Sequence, residues 1–187
     1  MVSLASLCLP ILLSAVFVFV ASSIIHMAPL WHRNDYRGLP DETQFAAALR
    51  ALNLVPGDYF MPWAPPRQHK SPEFRQRMTQ GPVAIVSVLP NGPVVMAKPL
   101  ALWFVYLLIV GAFSALIAAH VLPPGTPYPR VFKVVLTAAF MGYALGLLQN
   151  SIWLRKPWAI TLKGCFDGLI YAALTAGTFG WLWPHAT

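Results

Sequence analysis

The sequence predicts an all-α membrane protein, a four-helix transmembrane bundle with a small α+β cytoplasmic insertion between helices 1 and 2. Three observations carry this. Of 187 residues, 57% are hydrophobic and only 10% are charged, against roughly 25% charged in a soluble domain. The mean hydropathy is +0.60. The apolar residues gather into four runs, each long enough for a bilayer crossing of about 20 residues. The same composition excludes intrinsic disorder, which is polar and charge-rich. Two cysteines are too few for a disulfide scaffold.

The first run covers residues 4–25 and carries no charge. Ala21-Ser22-Ser23 are small residues of the kind a signal peptidase accepts. The stretch before the run has no Lys or Arg, however, and the run is longer than a signal's apolar core. It therefore reads as an uncleaved helix. The second run covers 100–122, the third 131–154 and the fourth 163–183. Trp31, Trp103, Tyr106, Tyr128, Trp153, Trp158, Trp181 and Trp183 fall near the ends of these runs, where the headgroup zone favours them.

Residues 26–99 form the polar insertion. Asp41 precedes an apolar pattern at Phe45, Ala48, Leu49 and Leu52, so a helix is expected near 41–53 with Asp41 at its start. Ser71-Pro72-Glu73 is a second helix start, for a helix near 72–80 that Gly81-Pro82 ends. The β-branched run 83–89, the turn signal Pro90-Asn91-Gly92-Pro93 and Val94-Val95-Met96 predict a β-hairpin near 83–97.

Eleven of the thirteen basic residues lie in the insertion or in the loop between runs three and four; only Arg130 and Lys133 do not. Cytoplasmic loops are the Lys/Arg-rich ones, so both termini are expected outside and both basic loops in the cytoplasm. The net charge of +7 is accounted for by threading and anionic lipid, and nucleic acid is not an expected partner. Cys8 and Cys165 then sit near opposite faces of the bilayer, too far apart for a disulfide, and read as two buried apolar thiols.

In the fourth run Gly164, Gly168, Ala172, Ala176 and Gly180 recur every fourth residue. Such a ridge lets helix backbones approach closely, which drives association in lipid. Asp167 is the one acid inside a run, and ionisable groups there are functional candidates. Lys163, four residues before it, offers an i,i+4 partner. With Gln149 and Asn150 these two make the candidate polar inner vestibule. His26, His32 and His69 lack metal-ligand spacing, and no hydrolase or phosphate-loop motif stands in the chain. No catalytic residue, metal or cofactor is therefore assigned. A membrane enzyme would carry its chemistry in the loops 32–36 (His32, Arg33, Asp35 and Tyr36) and 57–63.

On His32-Arg33-Asn34-Asp35-Tyr36, Leu39-Pro40-Asp41-Glu42 and Gly81-Pro82-Val83-Ala84, with one span before and three after, the chain resembles small bacterial four-span inner-membrane proteins of no assigned activity. The resemblance implies an inner-membrane location and transfers no site residues. The expectation is a non-catalytic accessory or structural protein, its partners the bilayer and either its own copies or another membrane protein. The alternatives are a small transporter or channel subunit, or an enzyme at the cytoplasmic leaflet.

Overall fold

A computed structural model of the chain describes residues 2–27 and 31–185. In chain order its elements are α1 (Cys8–Met27), α2 (Glu42–Ala51), β1 (Gly57–Met61), α3 (Pro72–Gln80), β2 (Ala84–Val88), α4 (Ala97–Val121), α5 (Tyr128–Tyr143), α6 (Leu148–Trp153) and α7 (Trp158–Trp181). The chain divides into two compact units: Met1–Tyr36 with Val95–Thr187, and Arg37–Val94. The first six residues after residue 30 thus belong with the long helices, not with the insertion that the sequence placed at 26–99.

Four helices are long and apolar enough to cross a membrane: Ala5–Met27, Ala97–Val121, Tyr128–Trp153 and Trp158–Trp181. The last three begin three to five residues ahead of the apolar runs. Pro99 and Pro129 sit in first turns, where a missing N–H removes no helical bond. Counting apolar residues alone therefore starts these helices too late.

α1 packs on α4 and α7, and α5 packs on α4 and α7, so the helices close a four-membered ring. α1 turns a stripe of small or branched residues inward: Pro10, Ser14, Ala15, Val18 and Ser22. Ser14 and Ser22 return their hydroxyls to carbonyls one turn back, Ile11 at 3.0 Å and Phe19 at 2.9 Å, which satisfies them without water. Cys8 lies exposed on the outer side of α1, against the expectation of a buried thiol. Its place on the helix puts it off the inward stripe.

The third long helix is broken. Ala144 leaves helical geometry (φ −121°, ψ −46°) and Leu145–Leu147 wind as a 3-10 turn before α6. Side chains take up carbonyls freed or strained there. Tyr106 Oη donates to the Gly142 carbonyl at 2.6 Å, and Cys165 Sγ faces that of Ala144 at 3.6 Å. An apolar setting tolerates a helix break only with such substitutes.

The ridge on α7 lies along this third helix of the same chain. A Cβ on Gly168 would stand 3.0 Å from the Ala144 Cβ and 3.2 Å from the Tyr143 carbonyl oxygen; on Gly180 it would stand 2.6 Å from the Tyr128 ring. Ala172 and Ala176, between them, are fully buried. At one end of the bundle Trp183 Nε1 donates to the Pro123 carbonyl at 3.1 Å, and Gly125 N–H to the Pro184 carbonyl at 2.8 Å. These bonds tie the α4–α5 turn to the end of α7.

In the other unit, Asp41 caps α2 by accepting from Gln44 N–H at 2.8 Å, and Ser71 caps α3 by accepting from Phe74 N–H at 3.1 Å. Both helices fall where the capping residues put them. The expected hairpin near 83–97 does not form. β2 pairs instead with β1, antiparallel, with Gly57 opposite Val88 and Met61 opposite Ala84. Residues 94–96 carry Val94 and Val95 at 86% and 65% exposure and run into α4. Tyr59 and Phe60 give β1 the aromatic β-formers that suit a strand. The Asp58–Ser87 pair adds a cross-strand hydrogen bond of 2.6 Å.

A leucine at Gly168 must displace the α5 backbone, and is expected to cost about 1–3 kcal/mol through overpacking. Gly146 has open space around its missing Cβ, so Gly146→Ala is expected to change stability by about 0.5 kcal/mol or less. Reversible unfolding of the two variants in mixed micelles checks the contrast.

Candidate functional site

Both acids of the helical unit, Asp35 and Asp167, meet His32 and Lys163 where the segment after α1 meets α7. Asp167 lies ten residues into α7 and is 4% exposed. An ionised carboxylate in such a place must be paired and fully hydrogen-bonded. Its two oxygens are taken by consecutive residues of the loop. Trp31 Nε1 donates to Oδ1 at 3.0 Å, and His32 Nε2 lies 3.0 Å from Oδ2. The other nitrogen of His32, Nδ1, lies 2.6 Å from Asp35 Oδ2. Lys163 Nζ closes the circuit, donating to Asp35 Oδ1 at 2.7 Å and to the Trp31 carbonyl at 2.9 Å.

Both ring nitrogens of His32 thus face a carboxyl oxygen. The group is a quartet of two acids and two bases, with a polar partner at each of the four carboxyl oxygens. Surrounding rings screen it. His26, in the last turn of α1, stacks on His32 with centroids 4.7 Å apart and planes 12° apart. Trp31 leans on Phe166 at 5.8 Å, and Lys163 Nζ stands 6.0 Å over the indole. His26 Nδ1 faces the Ser22 carbonyl at 2.9 Å while Trp103 Nε1 donates to Ser22 Oγ at 2.9 Å. This links the site to α4.

The hydrogen bond from Lys163, and after it that from His32, hold the Asp35 carboxyl below the ordinary carboxylate range, against the opposing effect of burial. Among the described residues no group of three or more His, Cys, Asp or Glu side chains is placed to hold a metal ion. The arrangement is a clamp.

The sequence-derived vestibule joined Asp167 and Lys163 to Gln149 and Asn150. The first two do belong to one site, but Lys163 pairs with Asp35 rather than with Asp167. The loop supplies shorter and more numerous bonds than an i,i+4 contact on the helix face. Gln149 is exposed. The Asn150 backbone carbonyl instead turns the chain out of α6, accepting from Leu154 N–H at 3.1 Å and Lys156 N–H at 3.2 Å. Of the loop residues weighed for an enzyme, His32 and Asp35 are in the clamp, Tyr36 is 92% exposed, and 57–63 is mostly β1 of the other unit.

Trp31 was expected only as an interfacial ring, and His32 and Asp35 only as loop residues of an enzyme; their bonding to Asp167 and Lys163 was the part missed. One signal was available: His-x-x-Asp shortly after the first long apolar run, separated by an even number of runs from the start of the fourth. One further polar group is conspicuous. The Tyr171 hydroxyl, one turn beyond Asp167 on α7, is buried without a hydrogen-bond partner. No family model, curated protein or solved structure matches this chain.

His32→Ala takes one hydrogen bond from each carboxyl, leaving Trp31 on Asp167 and Lys163 on Asp35, and is expected to destabilise the helical unit by about 1.5–3 kcal/mol. A double-mutant cycle on Asp35 and Lys163 is expected to return a coupling of about 0.5–3 kcal/mol, measured by reversible unfolding in micelles.

The lowered Asp35 carboxyl fixes the sign of the acid response. Its contribution is complete above the ordinary carboxylate range and is lost as pH falls through its depressed folded value. The thermal midpoint is expected to hold from pH 7 to about pH 5 and to fall below about pH 4. Asp35→Asn starts lower and loses that part of the acid sensitivity.

Proposed function

We propose that the protein is a non-catalytic, multi-pass accessory or structural membrane protein that acts through contacts of its helices and of residues 37–94. One observation supports this above the others: the only acid in a long helix, Asp167, is sealed by Trp31 and His32. Each oxygen of its carboxyl has a partner within the chain, which suits a structural tie between the loop and α7. The ridge on α7 is likewise taken up within the chain. Contacts with other proteins or copies therefore fall to the remaining faces.

In the same reading the chain lies in a bacterial inner membrane with both termini outside, supported by the segregation of the basic residues. A reporter fused after residue 187 is expected to be active only on the outer side.

A second reading, a proton-coupled carrier, is favoured by the partnerless Tyr171 hydroxyl next to Asp167 along α7. Proton flux into proteoliposomes under an imposed voltage separates the two. The accessory reading expects wild type and Asp167→Asn to match protein-free vesicles. A wild-type flux that Asp167→Asn abolishes would replace it with the carrier.

A further inference from the structure

The unit Arg37–Val94 leaves its apolar surface uncovered. Among its described hydrophobic side chains only Ala64 is buried, whereas Phe60, Trp63, Ile85 and Leu89 are 44%, 67%, 46% and 75% exposed. Roughly 60 residues make a marginal domain even around a good core, so this surface calls for a cover. Phe60 is paired in register with Ile85, and cross-strand partners stand side by side on one sheet face. From Phe60 opens a groove of about 420 Å³, walled by Trp63, Pro66, His69, Phe74 and Met78. His69 stacks on Phe74 with centroids 5.2 Å apart, its Nε2 2.8 Å from the Ala64 carbonyl oxygen.

The rim of this groove is cationic. Arg67 follows Pro66, Arg75 follows Phe74, and the Arg77 guanidinium stands 5.7 Å over the Phe74 ring. Arg67, Lys70, Arg75 and Arg77 are all exposed, and Glu73 is the single acid between residues 59 and 166. Exposed tryptophan beside apolar side chains, ringed by arginine and lysine, matches a headgroup layer in which rings take the interface and cations take phosphates.

The unit is also tied at both ends to membrane-length helices, one ending at Met27 and the next starting at Ala97. The tether keeps it at high effective concentration near any bilayer those helices cross. We infer that the face formed by Phe60, Trp63 and Ile85, with the cations of residues 67–77, docks on the anionic surface of a lipid bilayer. This rests on the reading that residues 37–94 work through contacts rather than chemistry.

Hydrogen exchange of residues 57–80 tests it, using the full chain in nanodiscs of phosphatidylcholine alone or mixed equally with phosphatidylglycerol. The expected result is several-fold slower exchange in the anionic discs. The protection disappears in molar salt, where the Debye length is about 3 Å. A chain carrying Arg67→Glu, Arg75→Glu and Arg77→Glu exchanges in anionic discs as wild type does in neutral ones, with α4 and α7 unchanged. Trp63→Ser, which keeps every charge, loses part of the protection. Equal exchange in the two lipids, or slowing that appears only when a second protein is added, overturns the proposal. A voltage-driven proton flux would overturn the accessory reading and leave this exchange difference standing, so the two failures are distinguishable.

Discussion

A charge on an apolar helix is tolerable only if its partners come with it, and Asp167 is that charge. Everything at this end of the bundle follows from sealing it. Trp31 and His32 approach from the segment after α1, Asp35 follows one turn later, and Lys163 returns from one turn earlier on α7. The result fixes the first and last long helices to each other by side chains, where the backbone between them is more than a hundred residues long. A hydrophobic contact could hold the same elements together. It would not fix which residue of the loop meets which turn of the helix, because apolar packing has no donor and acceptor to match.

The small-residue ridge solves the complementary problem along the rest of α7. Gly168, the residue next to Asp167, sits against the backbone at Tyr143 and Ala144, where the third long helix leaves helical geometry. The break and the ridge fit each other: a wider residue at 168 would meet carbonyl and Cβ atoms rather than a flexible side chain. Polar side chains then repair the interrupted carbonyls from two directions, Tyr106 from α4 and Cys165 from α7. Directional bonds at one end and close backbone approach along the length leave little freedom for the bundle to open. This supports the accessory reading more than a gated one.

The insertion follows a different economy. Its helices are correctly capped and its strands correctly paired, yet it buries almost no apolar side chain. Local signals build its elements, and its apolar side chains are left mostly exposed. The result is an amphiphilic face with a cationic margin, to which a lipid surface is a chemically sufficient complement.

What the sequence determined by itself is everything that depends on short-range pattern. Four apolar runs became four membrane-length helices, Asp41 and Ser71 became N-caps, and the spacing of Gly164, Gly168, Ala172, Ala176 and Gly180 marked the close-packed side of α7. What tertiary structure alone decided is every choice of partner. Val83 to Leu89 has the pattern of a strand whichever strand lies beside it, and Pro90-Asn91-Gly92-Pro93 is a turn signal, so the nearer segment 94–96 looked like the mate that 57–61 turned out to be. Lys163 has an acid four residues away, and nothing local says that Asp35 offers a shorter bond. Counting spans placed the loop after the first and the start of the fourth on one side, so their meeting was foreseeable. The pairing itself was not, because it is decided by which donors can desolvate together around a single buried carboxylate.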